Sequence, residues 1–407
     1  MTTQMRQSTL RPAPNPSTRQ WDLATILWSG LIFLLPMYRV LPPAGKFLWF
    51  ASVFGLLVGS AVLWQLARPR YPVIWVFAGF ASVFAMLTAT NEATVKSNLA
   101  IGSQLAILLG LGVFVMTANA NRSARFVELV SLAFVAGQTL SSLAGIAQVT
   151  GRSVFGSESI EGRASGLAQH PNTLGMMATI ALLLCMSMLL QGTRHRIFVL
   201  AITVVNIGGL MATGSLSSLL AAALGVSVLL IAMRDRIKHL FASVAAIGVA
   251  LLLVTTFTDI TDGIRSPIDR YLQVTGQTSD ASTWEIRQRT YDFAWENIKE
   301  QPFFGNGLAA EFGGTFNGIT VTHNVFLRSW YQGGILLALA IALILAAVAI
   351  VAIRSMVRKE SGTPAAVLVA MMGFALTSAF FEQPDYWIPA LVAFAAIGQS
   401  RAPHPAA

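Results

Sequence analysis

Charge is what this sequence has least of. Only 11% of its 407 residues are Asp, Glu, Lys or Arg, while 55% are hydrophobic. Soluble domains carry roughly a quarter charged residues, so a soluble enzyme with a single anchor is excluded. There is one cysteine, Cys185, inside the apolar run "ALLLCMSMLL". It can form no intramolecular disulfide and reads as a small buried hydrophobe. Neither a His-Glu-x-x-His pair nor a Cys/His cluster suggests zinc. A Gly-x-x-x-x-Gly-Lys loop is missing too, so nothing points to nucleotide hydrolysis. The nearest approach to a metal-binding carboxylate pair is "DITD" at 259–262, which a solvated helix end explains. Ionisable chains at mid-membrane depth, which proton-coupled transporters need, are also lacking. The expected chemistry therefore needs no metal and no cofactor.

What the sequence has instead is apolar length. A membrane helix needs roughly 20 apolar residues, and twelve such runs are found. They cover 24–41, 47–67, 72–90, 98–118, 126–149, 171–191, 197–213, 216–233, 239–257, 332–353, 364–381 and 386–400. The expected fold is an all-α polytopic membrane protein with about 12 transmembrane helices. Residues 1–20 read as a disordered tail, 21–257 as spans one to nine, 258–331 as a large loop, 332–400 as spans ten to twelve, and 401–407 as a second tail. The net charge of +9 does not imply nucleic acid, because the basic residues sit in short loops between spans.

Those loops predict orientation. With both termini cytoplasmic, 16 of the 27 Lys and Arg fall inside, and every inner loop carries at least two. This is the positive-inside pattern. Four of the 18 acids lie inside, at Asp22, Glu128, Asp235 and Glu360. Acids barely affect orientation, so their outward bias points to polar chemistry on the outer face. The large loop reads as more than a linker. Its middle, "STWEIRQRTYDFAWENIKEQP", has helical spacing of aromatics with a Ser/Thr start and a proline stop. A Gly/Asn-rich stretch then leads to His323.

His323 and Asn324 stand before span ten, where a histidine can take a proton from a hydroxyl. Outer arginines are the second candidate set. Guanidinium groups stay charged and donate in a planar fork, which suits phosphate. Arg163 lies in the turn-rich "EGRASGLAQHPN", and Arg265, Arg270, Arg287, Arg289 and Arg328 lie in or after the large loop. His170 shares the turn with Arg163 and can either join the site or cap span six. Glu382 and Asp385, in "FFEQPDYW", can orient or tune a histidine.

"IRQRTYDFAWENIKEQPFFGNG", then "THNVFL" and a glycine pair, resembles the signature loop of the O-antigen ligase and polymerase superfamily. In that pattern Arg287 is the best-placed arginine and Arg289 its competitor. Gly305-Asn306-Gly307 supplies the Gly-x-Gly, and His323-Asn324 the His-Asn. "RASGLAQHPNTLG" resembles the family's earlier outer motif, through Arg163. "TGSLSSLLA" resembles its short turn motif, but Leu219 stands where the family has an arginine, which leaves the turn without an assigned role.

The resemblance implies a GT-C-like membrane glycosyltransferase of the bacterial inner membrane, with a periplasmic active site. It implies an undecaprenyl diphosphate-linked glycan as donor, a lipid A-core sugar as acceptor, and surrounding membrane lipids. The expected mechanism uses Arg163, Arg265 and Arg287 on the diphosphate and His323 as proton acceptor, in one inverting displacement. A polymerase using the same donor is the alternative within the family. A lipid-linked sugar transporter is the alternative from another class.

Overall fold

The computed structural model describes residues 22–88, 95–123, 125–160, 162–237, 272, 283–309, 315–317 and 320–399. The ninth expected span, both tails, Arg265 and Arg270 lie outside them. Among the described residues the chain is all-helical, with twelve helices. These are α1 Leu23–Leu34, α2 Pro43–Val62, α3 Pro72–Leu87, α4 Val95–Arg122, α5 Phe126–Val149 and α6 Pro171–Leu190. They continue as α7 Arg196–Ala212, α8 Leu216–Ala232, α9 Thr283–Glu300, α10 Val325–Arg358, α11 Gly362–Ala375 and α12 Pro384–Gln399.

Five of these, α2, α4, α5, α6 and α10, are long and apolar enough to cross a membrane. Six more, α1, α3, α7, α8, α11 and α12, are shorter apolar helices. Together they coincide with eleven of the twelve expected spans. The twelfth helix, α9, is the one expected within the large loop.

Local sequence fixes the helix starts. Proline begins α2, α3 and α6, where its missing N–H costs nothing. Side chains of Asp22, His170, Ser215 and Asn324 accept the free N–H groups that open α1, α6, α8 and α10.

Helix α6 is the central post, 83% buried over its most apolar window, while α2 is 17% buried and sits on the outside. Around α6 stand α5, α7, α8 and α11. A second group packs α3 against α4 and α10, and α4 against α12. Gly79 of α3 meets Gly110 of α4 so closely that a Cβ on either would press on the other's backbone. Small residues of this kind are how membrane helices approach. Gln138 donates to Ser142 within α5, and Ser142 donates to Asn206 of α7, a polar link between the two helices in the apolar interior.

The connectivity brings many termini to one end. There α1 and α11 finish and α10 and α12 begin. There too α5 gives way to α6, and α7 turns into α8. This is the His323 end of the bundle, and α9 lies against α10 beside it.

Candidate functional site

His323 is set by a kink in α10. The helix begins at Val325, earlier than its apolar run suggests, and breaks at Gly334, whose φ is 76° and ψ −179°. Two carbonyls before the kink, of Tyr331 and Gln332, accept the N–H groups of Asn306 and Gly307 at 2.7 and 3.0 Å. The Gly-x-Gly stretch therefore bonds the helix where it has opened. A Cβ at Gly334 would collide with the Phe303 carbonyl, and one at Gly305 with that of Gln332. Both glycines have positive φ, so each is required twice over, by conformation and by space.

Helix α9 holds the residues before the kink. Thr322 donates its hydroxyl to the Thr290 carbonyl at 3.1 Å, and the Tyr291 hydroxyl reaches the His323 carbonyl at 3.3 Å. Asn324 is occupied as a cap, accepting from Phe326 N and Leu327 N.

The His323 ring is half-buried, with Nδ1 2.8 Å from the Val321 carbonyl. A carbonyl only accepts, so Nδ1 carries the hydrogen and the neutral ring has its lone pair on Nε2. Burial, then the Arg287 charge, pushes its pKa down to about 4, with the Val321 bond opposing. His170 and Arg328 also act on it. His170 has the other tautomer. Its Nδ1 accepts Asn172 N at 3.2 Å, which leaves the hydrogen on Nε2. Burial, then Arg39 and Arg163, pushes His170 down to about 4 as well. Its ring is nevertheless exposed, as befits a group in a cleft, open to solvent yet surrounded by protein.

Arg287 reaches across from α9 and donates to Ser217 Oγ at 3.4 Å. Burial lowers its pKa, and among the described residues it has no carboxylate partner. Arg163 is fixed over the α7–α8 turn. Its Nε donates to the Thr213 carbonyl at 2.8 Å and its Nη2 to Asn172 Oδ1 at 2.9 Å. The turn that Leu219 had left without a role thus contacts both arginines, with a guanidinium delivered to its serines by α9.

The remaining candidates lie otherwise. Arg289 is exposed and pairs with Glu285 one helical turn away, because it sits two positions beyond Arg287 on the opposite face of α9. Arg328 is buried, bonded to Gln332 at 2.8 Å and paired with Glu382 at 3.2 Å. Asp385 accepts from Tyr38 at 3.0 Å and Arg39 at 2.7 Å. Neither carboxylate bonds a histidine: each holds an arginine.

Arg39 is the residue that sequence reasoning missed, since a lone arginine in a short loop carries no signal of its own. The short 3-10 turn Tyr38–Val40 packs on Gly166–Ala168, which puts Arg39 against the loop carrying Arg163 and His170. Thr213, Ser217 and Asn172 were missed as well, since a hydroxyl or amide in a turn carries no signal of its own.

A polytopic helical membrane protein, with arginines and two neutral histidines gathered at one end of the bundle, is the class these features define. Residues 198–342 match the family model described as O-antigen ligase. This match supports the O-antigen ligase and polymerase superfamily that the signature loop resembles. The match runs from α7 into α10 and contains the turn, Arg287, the Gly-x-Gly and His323. The family points to a glycosyltransferase-like enzyme in O-antigen processing, with a lipid-linked glycan and the lipid A core as partners in general terms. No curated protein matches the chain.

Proposed function

We propose that this protein is an O-antigen ligase, transferring a glycan from undecaprenyl diphosphate to a sugar hydroxyl of the lipid A core at the periplasmic face of the inner membrane. One observation carries the reading. The unprotonated Nε2 of His323 lies within the field of a half-buried guanidinium, Arg287, that has no carboxylate partner among the described residues. A desolvated cation without an acid favours an anion, and a base beside it suits an attacking hydroxyl.

In this reading Arg287 and Arg163 bind the diphosphate, with Arg265 a further candidate from the large loop. Arg39 adds positive charge on the His170 side, and His170 offers its Nε2–H. His323 Nε2 takes the proton of the acceptor hydroxyl as its oxygen attacks the anomeric carbon. The bond from that carbon to the diphosphate breaks on the opposite side, inverting the configuration. The guanidinium charge offsets the charge growing on the leaving group, so no metal is required. A bound diphosphate also opposes the Arg287 field on His323. That raises the imidazole pKa toward neutrality, where a general base works best. Arg289 has no part in this mechanism.

A strain lacking the gene separates ligase from polymerase. Loss of a ligase leaves long lipid-linked polymer and bare core, while loss of a polymerase leaves core capped with one repeat. Transfer by purified protein, with both substrates on one side of the membrane, excludes a transporter.

A further inference from the structure

A cavity of about 1290 Å³ lies among α1, α5, α6, α7, α11 and α12. None of the site residues lines it. It opens from the end of the bundle opposite His323, where the start of α5, the end of α6 and the starts of α7 and α11 line it, and runs inward to the middle of α5, where the last turn of α1 packs on Gly137. We propose that this cavity is a binding site for an anionic phospholipid of the leaflet opposite His323, with its acyl chains inside and its headgroup at the mouth.

Depth, lining and charge support this occupant. Along α5 the cavity runs from Val127 to Leu140, about 20 Å at ~1.5 Å per residue. One leaflet contributes roughly 15 Å, half of a ~30 Å hydrocarbon core. The cavity is therefore as deep as one leaflet, whereas a chain crossing the bilayer would need twice that. Its volume exceeds the ~300–1,000 Å³ of a site for a drug-sized molecule. The walls are mostly aliphatic, and the charged, amide and imidazole groups of the lining, Glu128, Gln191 and His195, lie at the helix ends away from His323. In sequence Arg125, Arg194 and Arg196 flank these lining segments against the single lining acid Glu128, while Arg122 is paired with Asp22. Basic residues at a membrane surface attract anionic headgroups.

The test uses the wild-type protein in vesicles containing phosphatidylglycerol with a photoreactive group in its acyl tail. The expected result is crosslinking to cavity residues such as Leu184 and Ile202. Excess unlabelled phosphatidylglycerol should compete several-fold better than phosphatidylcholine. Crosslinks confined to outward-facing α2 would overturn the proposal, as would equal competition by the two lipids. Native mass spectrometry of Ala136→Trp, which adds bulk at an open position of the lining, should show at least tenfold less retained phosphatidylglycerol. Retention equal to wild type would also overturn it, and so would finding a polyisoprenoid there instead.

Discussion

Replacing Asp385 by alanine removes the carboxylate that joins the start of α12 to the connection after α1. The carboxylate is 1% exposed and lies 2.7 Å from the Arg39 guanidinium, which is 24% exposed. It also accepts the Tyr38 hydroxyl. Without it Arg39 keeps Gln383 as an acceptor, while its Nε is already buried without a partner. Breaking a buried pair from one side costs about 3–5 kcal/mol, because a charge is left uncompensated. The partial exposure of Arg39 puts the expected loss near ~3 kcal/mol at the low end of that range. Removing both charges, as Arg39→Met with Asp385→Ala, is expected to cost less than the sum of the two single changes. Denaturant unfolding of the four proteins in detergent gives the coupling energy directly. A coupling under about 1 kcal/mol, typical of a solvated surface pair, would refute the claim that this pair staples Arg39 in place.

Arg287→Lys keeps the charge but loses the fork, and should weaken donor binding about tenfold or more; Arg287→Met should weaken it further, as a donor titration would show. Donor affinity equal to wild type in the lysine variant would remove the clamp. Because His323 sits near pH 4 rather than 6.5, kcat/KM for transfer should stay flat from pH 8 to about 5 and fall only toward 4. The sign for stability is the same. The unfolded chain binds more protons than the folded one between about 4 and 6.5, so stability drops as pH falls through that window. A midpoint near 6.5 in the kcat/KM profile would contradict the burial of His323. Gly334→Ala meets both the positive φ and the Phe303 carbonyl. It should cost at least ~1–3 kcal/mol, seen as a lowered unfolding midpoint.

The helices were legible because each span announces itself by apolar length alone, and Asn324 caps α10 just as its place before an apolar run implies. The start of α10 was harder to see. Arg328, Tyr331 and Gln332 make its first turns look like loop, and only the kink at Gly334 explains their burial. The His-Asn and Gly-x-Gly motifs were legible as motifs, but their physical relation, N–H groups meeting the carbonyls of an opened helix, was not. Pairings across the whole chain, such as Arg39 with Asp385, leave no local pattern. Glu382 and Asp385 were read as acids that orient or tune a histidine, because sequence spacing could not say that arginines hold them. The Thr213–Ser218 turn was discounted because Leu219 replaces an arginine. Its neighbour Arg287 comes from a helix some seventy residues later.

The most direct test is transfer by His323→Ala, with purified lipid-linked donor and lipid A-core acceptor in liposomes. Loss of a general base costs typically 10²–10⁴-fold in rate. The account predicts a fall of that size with donor binding and folding retained, because the ring makes no side-chain bond beyond Val321 among the described residues. Transfer at the wild-type rate would contradict it.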